Sequence, residues 1–189
     1  MISTKWVDTY KGSQAEPNYR SRLVGRELTL SERPDLFAAT PPLESLRYVI
    51  SQCASTQHRR RPHRLISIDV SRAYFYAASI RPLYIQIPAE EKFRVDEGLV
   101  CKLNFSLYGT RDAAQNWSVE YTRTLRAAGF EPGKASPCNC HHKTRDLALT
   151  VHGDDFTATG SLEDLAWLEG IFRQRYDIKA SDLGPEPHH

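Results

Sequence analysis

Alternating apolar and polar residues predict a strand that carries one acidic side chain. Ile66, Ile68 and Val70 alternate with Ser67 and Asp69, and a period of two is typical of a strand with one buried face. Because successive side chains of a strand point to opposite faces of the sheet, we expect Asp69 to point away from the apolar residues.

Four other runs pair up as two predicted hairpins. Residues 5–10 and 19–24 are β-prone and are separated by turn-forming residues. Residues 147–151 and 156–159 form a second such pair. The four residues between them, His152-Gly153-Asp154-Asp155, are predicted to form a tight turn with an aspartate pair at its tip.

A period near 3.6 predicts three helices. The first is expected to begin at Thr40 as its N-cap, with Pro41 in the first turn. The second covers residues 111–128 and ends at Gly129, and the third begins at Ser161 with a capping box. The apolar stripe predicted for the first helix consists of Leu43, Leu46, Val49, Ile50 and Cys53. This order of elements predicts an α+β fold, an antiparallel sheet with helices packed on one face.

Composition places the chain among ordinary globular proteins. Of 189 residues, 40% are hydrophobic and 25% are charged. No run is long enough to cross a bilayer and no apolar signal core follows the first residues, so we expect an intracellular location.

Charge is unevenly distributed along the chain. Residues 1–95 hold 15 Lys and Arg against 9 Asp and Glu, whereas residues 96–189 hold 10 Lys and Arg against 14 Asp and Glu. This asymmetry suits one lobe that binds polyphosphate and another that binds metal ions, although patchy surfaces are common.

The aspartates on strands and turns suggest a metal site. Asp154 and Asp155 repel each other at a hairpin tip unless cations or donors lie between them. A third carboxylate, from Asp69, would complete an oxygen cage for two Mg²⁺ ions of the kind that stabilises an in-line phosphoryl displacement. Exposed aspartate pairs are also common without metal, and Asp69 could accept hydrogen bonds from a loop, so spacing alone leaves both interpretations open.

Several segments resemble a known family. Residues 69–75, DVSRAYF, resemble the first catalytic motif of reverse transcriptases. Residues 106–117, SLYGTRDAAQNW, resemble the copia-type segment SLYGLKQAPRQW, and residues 153–155 stand where the family has Tyr-Val-Asp-Asp. Shorter matches occur in the family's order from about residue 5 to 184. The chain therefore resembles the reverse transcriptases of copia-type retrotransposons.

The resemblance implies a fold and its subdomains. We expect a right-hand polymerase palm, an antiparallel sheet backed by helices, with a fingers subdomain and no thumb. The expected boundaries are a reverse transcriptase domain at 1–184, with fingers at about 1–62 and 81–106, palm at about 63–80 and 107–184, and a tail at 185–189.

The resemblance also implies an activity. The chain would be an RNA-directed DNA polymerase fragment of a Pol polyprotein, a nucleotidyltransferase that extends a DNA primer with dNTPs on an RNA or DNA template. Asp69 and Asp154 would bridge two Mg²⁺ ions, which Mn²⁺ could replace, and Asp155 would support them. No membrane is implied, and the location would be a cytoplasmic virus-like particle or the nucleus.

Four residues are assigned to the nucleotide through the resemblance. Tyr74 would lie under the sugar and exclude a 2′-hydroxyl, although the strand pattern alone favours an ordinary core aromatic. Arg20 and Arg22 alternate to the same side of a predicted strand and would contact the triphosphate. Arg111 would approach template or nucleotide phosphates.

Departures from the family raise an alternative. His152 replaces the family's tyrosine, Gly153 its valine or methionine, Asp112 its glutamine and Ala114 its proline. An acid at position 112 would repel phosphates unless it is paired or turned away. The alternative is therefore a catalytically inactive or domesticated remnant that only binds nucleic acid.

A third interpretation is a metal-dependent phosphohydrolase on another α+β fold, but it would not explain the ordered matches. Without a thumb, we expect a weak hold on primer-template.

Two further features are open in the sequence. Cys138 and Cys140 could hold zinc with His152, but alternation along a strand favours two small core residues, and free thiols are expected. Residues 58–64, HRRRPHR, predict a basic loop that is either a solvated linker or a contact for nucleic acid.

Overall fold

The chain folds into two compact units. The computed structural model describes residues 1–27, 36, 38–88, 90 and 98–183. The first unit comprises residues 1–37 and 74–119, and the second comprises residues 38–73 and 120–189. Gly184 of the last family match and the predicted tail at 185–189 lie outside the described residues. The assignment of fingers and palm stays a prediction.

Ten strands and three α-helices make up the described part of the chain. The strands are β1 (Ser3–Tyr10), β2 (Tyr19–Arg26), β3 (Arg64–Val70), β4 (Tyr84–Gln86), β5 (Val100–Lys102), β6 (Glu131–Pro132), β7 (Asn139–His142), β8 (Leu147–His152), β9 (Asp155–Gly160) and β10 (Ile178–Asp182). The helices are α1 (Leu43–Ser55), α2 (Ala113–Ala127) and α3 (Leu162–Arg175), and a short 3-10 helix spans Ala73–Tyr76. None of these helices combines the length and apolarity that a membrane span requires.

The first unit is built from two antiparallel pairs of strands. β1 pairs with β2, which confirms the predicted hairpin, and β4 pairs with β5. Its core is small: Ile2, Ile85 and Leu107 are buried together. Ile2 also forms a parallel bridge to Ile85, and this contact joins the start of the chain to β4.

The second unit is a six-stranded antiparallel sheet in the order β10-β3-β9-β8-β7-β6. The predicted alternation is confirmed in β3, where Ile66, Ile68 and Val70 are buried and Asp69 is half-buried. Ile68 lies opposite Phe156 of β9, so their side chains share the apolar face. That face is covered by α2 and α3, since Phe156 contacts the ring of Tyr121 at 5.5 Å and that of Phe172 at 4.8 Å.

Helices lie on both faces of this sheet, so the expectation of helices on one face was wrong. Asn139 and Thr150 are register partners on the polar face, and the Asn139 amide donates a hydrogen bond of 3.0 Å to Ser45 of α1. Thr150 is buried there even though it is polar. Periodicity predicts which side of a strand is apolar, but it does not show that a helix can also cover a row of threonines.

The first helix differs from its prediction at its start and on its buried face. It begins at Leu43 after Pro42, and no side chain caps it, so the predicted N-cap at Thr40 was wrong. Val49 and Ser45 are buried, whereas Leu43, Leu46 and Ile50 of the predicted stripe are exposed. The helix packs on the polar face of the sheet, which carries Thr150 and its register partner Thr157, and Ser45 accepts a hydrogen bond from Asn139 there.

The other two helices agree with their predictions. α2 ends as expected at Gly129, whose φ of 91° is the left-handed conformation of a C-cap glycine. α3 begins after Ser161, whose hydroxyl accepts a hydrogen bond of 3.2 Å from the N–H of Asp164. Each helix buries the predicted apolar face, represented by Leu125 in α2 and Phe172 in α3.

Cys138 and Cys140 are buried residues of the second unit, as core packing predicts. The Cys138 thiol donates to the carbonyl of Ala39. Burial raises the pKa of the Cys140 thiol to about 12, so the thiol stays protonated at neutral pH.

Candidate active site

The end of β3 and the start of β9 bring two of the predicted carboxylates together. In the antiparallel register, Asp69 lies opposite Asp155. Directly opposed residues of paired strands share a face and have Cβ atoms about 4.5–5.5 Å apart. Asp154 precedes Asp155 in the turn, and its carbonyl accepts a hydrogen bond of 3.0 Å from the N–H of Val70. The turn that carries the aspartate pair is thus tied to the strand that carries Asp69.

His152 and Lys179 extend the carboxylate pair into a row across the sheet. His152 lies opposite Asp155, and Lys179 of β10 lies opposite Asp69. All four side chains therefore share one face of the sheet. Sequence reasoning missed Lys179 because nothing in the sequence showed that β10 pairs with β3.

The hairpin tip is a two-residue turn made by Gly153 and Asp154. Gly153 has a φ of 65°, and glycine at the first central position of such a turn matches the twist of the flanking strands. A Cβ atom there would find no other atom within 4 Å, so a side chain is disfavoured at Gly153 by the left-handed backbone conformation and not by a clash of its Cβ atom. The family's larger residue is thus replaced by one that suits this turn conformation.

The three carboxylates repel one another. Partial desolvation raises the pKa of the Asp155 carboxyl, and the negative charges of Asp154 and Asp69 raise it further. The charge of His152 acts in the opposite direction. Asp155 is harder to ionise because two other carboxylates lie close to it. A bound cation would relieve this repulsion, so the raised pKa is typical of a cation-binding site.

The donor set fits Mg²⁺ or Mn²⁺. Three carboxylates supply the hard oxygen ligands that these ions prefer, and their mutual repulsion would be relieved by positive charge. Within the described ranges, however, no three His, Cys, Asp or Glu side chains already surround a common point. Binding therefore requires Asp69, Asp154 and Asp155 to turn toward the ion.

Two of the four predicted nucleotide residues meet in the first unit. The ring of Tyr74 lies 4.5 Å from that of Tyr108, and the guanidinium of Arg22 lies 5.3 Å from the Tyr108 ring centre. Arg20 shares the strand face of Arg22, since their partners on β1 are Thr9 and Val7. Tyr108 links Tyr74 to Arg22 and was not singled out from the sequence, although it stands inside the S-L-Y-G segment.

The turn before α2 is held by a buried ionic cluster. Arg81 donates to Asp112 at 2.8 Å and to both carboxylate oxygens of Glu27 at 3.0 Å. Glu27 also accepts a hydrogen bond of 2.8 Å from the backbone N–H of Arg111. Asn116 donates to Asp112 from the first turn of α2. The Asp112 carboxylate is therefore paired within this cluster, which is the condition under which it would not repel phosphates.

The pKa values in the cluster reflect this pairing. Burial raises the pKa of the Asp112 carboxyl, but the hydrogen bond and charge of Arg81 outweigh it and hold the pKa below its usual value. Glu27 behaves in the same way, with a further contribution from the Arg111 N–H. The pKa of Arg81 is raised, chiefly by its hydrogen bonds to Asp112 and Glu27. Glu27 and Arg81 were not singled out from the sequence, which separates them by 54 residues.

The predicted site residues are divided between the two units. Asp69, Asp154 and Asp155 belong to the second unit. The predicted nucleotide residues Tyr74, Arg20, Arg22 and Arg111 belong to the first.

A comparison with known protein families agrees with the resemblance that the motifs suggested. The model for reverse transcriptase (RNA-dependent DNA polymerase) matches residues 1–186 of the chain. The chain belongs to this reverse transcriptase family. The match spans both units and includes every predicted site residue.

A curated relative refines this assignment. The retrovirus-related Pol polyprotein from transposon TNT 1-94 of Nicotiana tabacum is 25% identical to the chain over 193 residues. The match covers 97% of the chain and 14% of the relative, so the reverse transcriptase chain spans about one seventh of that polyprotein's length. The copia-type resemblance predicted from the motifs is confirmed.

Neutralising Asp155 is expected to stabilise the metal-free reverse transcriptase chain. The pKa of Asp155 is raised in the folded state, so the folded chain binds the proton more tightly than the unfolded chain. Stability is then lost as pH rises from the ordinary aspartate pKa through the folded one. Asp155→Asn should remove this loss. Its gain in free energy of unfolding should be small near pH 3 and full at pH 7.

Urea unfolding in EDTA at both pH values measures this gain. Asp182→Asn, an exposed aspartate of β10, is the control and should show no such pH-dependent gain. Added Mg²⁺ should stabilise the unmodified chain more than the Asp155→Asn chain. Equal stability of the two chains at pH 7 in EDTA would contradict the repulsion among the three carboxylates.

Proposed function

We propose that this chain is the polymerase portion of a retrotransposon Pol polyprotein and catalyses RNA-directed DNA synthesis by two-metal nucleotidyl transfer. The observation that carries the proposal is the register of Asp69 against Asp155, beside Asp154 at the hairpin tip. Family membership supplies the reaction class, and the carboxylates supply its chemistry. In this proposal the palm comprises residues of about 63–80 and 107–184, and the fingers comprise residues of about 1–62 and 81–106.

The chain's own residues have distinct tasks in this proposal. Asp69 and Asp154 hold the ions, and Asp155 lends a further oxygen and negative charge. When bound, the two Mg²⁺ ions would favour the attacking primer hydroxyl and the leaving pyrophosphate as they develop negative charge. Arg20 and Arg22 bind the triphosphate through guanidinium groups, which match phosphate geometry.

Tyr74 discriminates against ribonucleotides in this proposal. Its ring packs against Tyr108 at 4.5 Å, and Phe75 meets the same ring edge-on at 5.8 Å. Because Tyr108 packs against one side of the Tyr74 ring, that ring cannot move away freely from the added 2′-oxygen of a ribonucleotide.

The partners in this proposal are an RNA or DNA template with a DNA primer, and dNTPs. The setting is intracellular.

Extension of a DNA primer on an RNA template, with Mg²⁺ or Mn²⁺, tests the proposal. We expect metal-dependent extension by the unmodified chain and none by Asp154→Asn, with Asp182→Asn retaining it. A version of the chain that continues into the next segment of the polyprotein is assayed alongside, since weak binding of primer-template would hide a functional site. Absence of extension in both, while the folded chain still binds nucleic acid, would favour the binding-only remnant.

A further inference from the structure

Four arginines line one groove of the second unit at the end of the sheet away from the carboxylates. The groove has a volume of about 740 Å³. Arg59, Arg60 and Arg61 reach it from the loop that precedes β3, and Arg145 reaches it from the turn between β7 and β8. The first residues of α3 complete its wall. Three separate segments thus bring four arginines to one groove, which they share with the carboxylates of Asp146, Glu163 and Asp164.

The groove is remote from the proposed active site. Arg64, which follows the basic loop, pairs with Gly160 at the other end of β3 from Asp69. Five residue steps along the strand separate Arg64 from Asp69, a distance of about 17 Å at about 3.3 Å per step. The arginines of the groove therefore do not belong to the carboxylate site.

The arginines exceed the carboxylates that share the groove. Arg59 pairs with Asp146 at 3.3 Å, and Arg61 pairs with Glu163 at 2.6 Å. Arg60 forms no ion pair within the part of the chain that the structure describes. The Arg61–Glu163 pair is open to water, with both side chains more than 70% exposed. Such a pair contributes little to stability and is easily exchanged for another anion.

One guanidinium of the groove is held in place before any ligand arrives. Arg145 lies over the ring of Trp167 at 3.9 Å and donates to Asp164 at 2.9 Å. His63 also lines the groove and is 95% buried, and its Nδ1 has no hydrogen-bond partner among the residues that the structure describes. The other ring nitrogen of His63 faces Asp146 at 3.3 Å. An Arg145 fixed by stacking loses less conformational freedom when it binds phosphate.

We propose that this groove binds the phosphate backbone of a nucleic-acid duplex at a second contact, separate from the carboxylate site. Arginine forks match the oxygens of backbone phosphates, and consecutive arginines on one loop can follow successive phosphates. Phosphates displace Glu163 from Arg61 and Asp146 from Arg59. The contact needs no divalent ion and carries no base specificity.

Salt dependence of duplex binding tests the proposal. The affinity of the full chain for a blunt-ended RNA–DNA duplex is measured by fluorescence anisotropy in EDTA at several salt concentrations. Arg60→Ala and Arg61→Ala should each make the slope of log affinity against log salt shallower by about one, and the double variant by about two. Glu163→Gln should tighten binding roughly twofold to fivefold, because the duplex no longer competes with an exposed ion pair.

Matched controls separate the groove from general charge effects. Arg173→Ala and Glu169→Gln break another arginine–glutamate pair of α3, which is less exposed than Arg61–Glu163 and lies outside the groove. They should leave the slope and the affinity unchanged. Because duplex affinity is measured in EDTA, where no primer extension takes place, loss of polymerase activity cannot be mistaken for failure of the groove.

Two results would overturn the proposal. One is a slope for the double arginine variant equal to that of Arg173→Ala. The other is binding of inorganic phosphate in the groove with no effect on the affinity for the duplex. That result would make the groove a site for single anions.

Discussion

A chain carrying Asp69→Asn is expected to lose Mg²⁺-dependent primer extension by about a thousandfold or more. Asp69 is the carboxylate that β3 contributes opposite Asp155, and an amide brings neither its negative charge nor its second metal-binding oxygen. A bound ion supplies several kcal/mol of transition-state stabilisation, and about 4 kcal/mol corresponds to a thousandfold in rate. Single-turnover extension, at a metal concentration that saturates the unmodified chain, measures the loss.

The same substitution has a second readout that does not depend on activity. The charge of Asp69 contributes to the raised pKa of Asp155, so Asp69→Asn should move that pKa toward its ordinary value. A pH titration of the Asp155 carboxyl by NMR in EDTA detects the shift. Ser67→Ala, two residues earlier on the same strand face, is the control. Full extension by Asp69→Asn would remove Asp69 from the metal site, and an unchanged pKa of Asp155 would contradict their proximity.

Sequence patterns predicted the part of the site that depends on local structure. Alternation in β3 was enough to turn Asp69 away from the apolar face, and the predicted tight turn placed Asp154 at the hairpin tip, directly before Asp155 at the start of β9. The direct opposition of Asp69 and Asp155 required the register between β3 and β9, and no local pattern fixes that register. The same limit explains why Lys179 went unnoticed.

The errors arose where long-range packing decided the outcome. Helical periodicity favoured Leu46 and Ile50 as the buried side of α1, but the sheet offers that helix a row of threonines, and Ser45 and Val49 are buried instead. Asp112 was expected to be a poor neighbour for phosphates. Its partner, Arg81, lies 31 residues earlier in the chain, and only the folded structure brings the two together.

Replacing Arg81 by methionine is expected to lower the free energy of unfolding by about 2–3 kcal/mol, since the partly buried carboxylates of Asp112 and Glu27 lose their charged hydrogen-bond donor. The side chains of Asp112 and Glu27 are only 3% and 15% exposed, so water replaces the lost hydrogen bonds poorly. Urea unfolding at pH 7 measures the loss. Arg173→Met breaks the ion pair between Arg173 and Glu169, which lie one turn apart on the surface of α3. This substitution should cost no more than about 0.5 kcal/mol.

The pH dependence of the Arg81 effect distinguishes ion pairing from simple loss of packing. The pKa values of Asp112 and Glu27 are lowered in the folded state, so their contribution to stability is present above the ordinary carboxyl values and lost as pH falls through the folded ones. The cost of Arg81→Met should therefore shrink on acidification. Adding Asp112→Asn to Arg81→Met should restore part of the stability at pH 7, because the amide needs no counter-charge. A cost that is constant with pH, and not reduced in the double variant, would mean that Arg81 acts through its aliphatic stem alone. If the ion pair does hold the turn, and if Arg111 contacts phosphates as proposed, the Arg81→Met chain should also lose nucleotide affinity, since Glu27 of the same cluster binds the backbone N–H of Arg111.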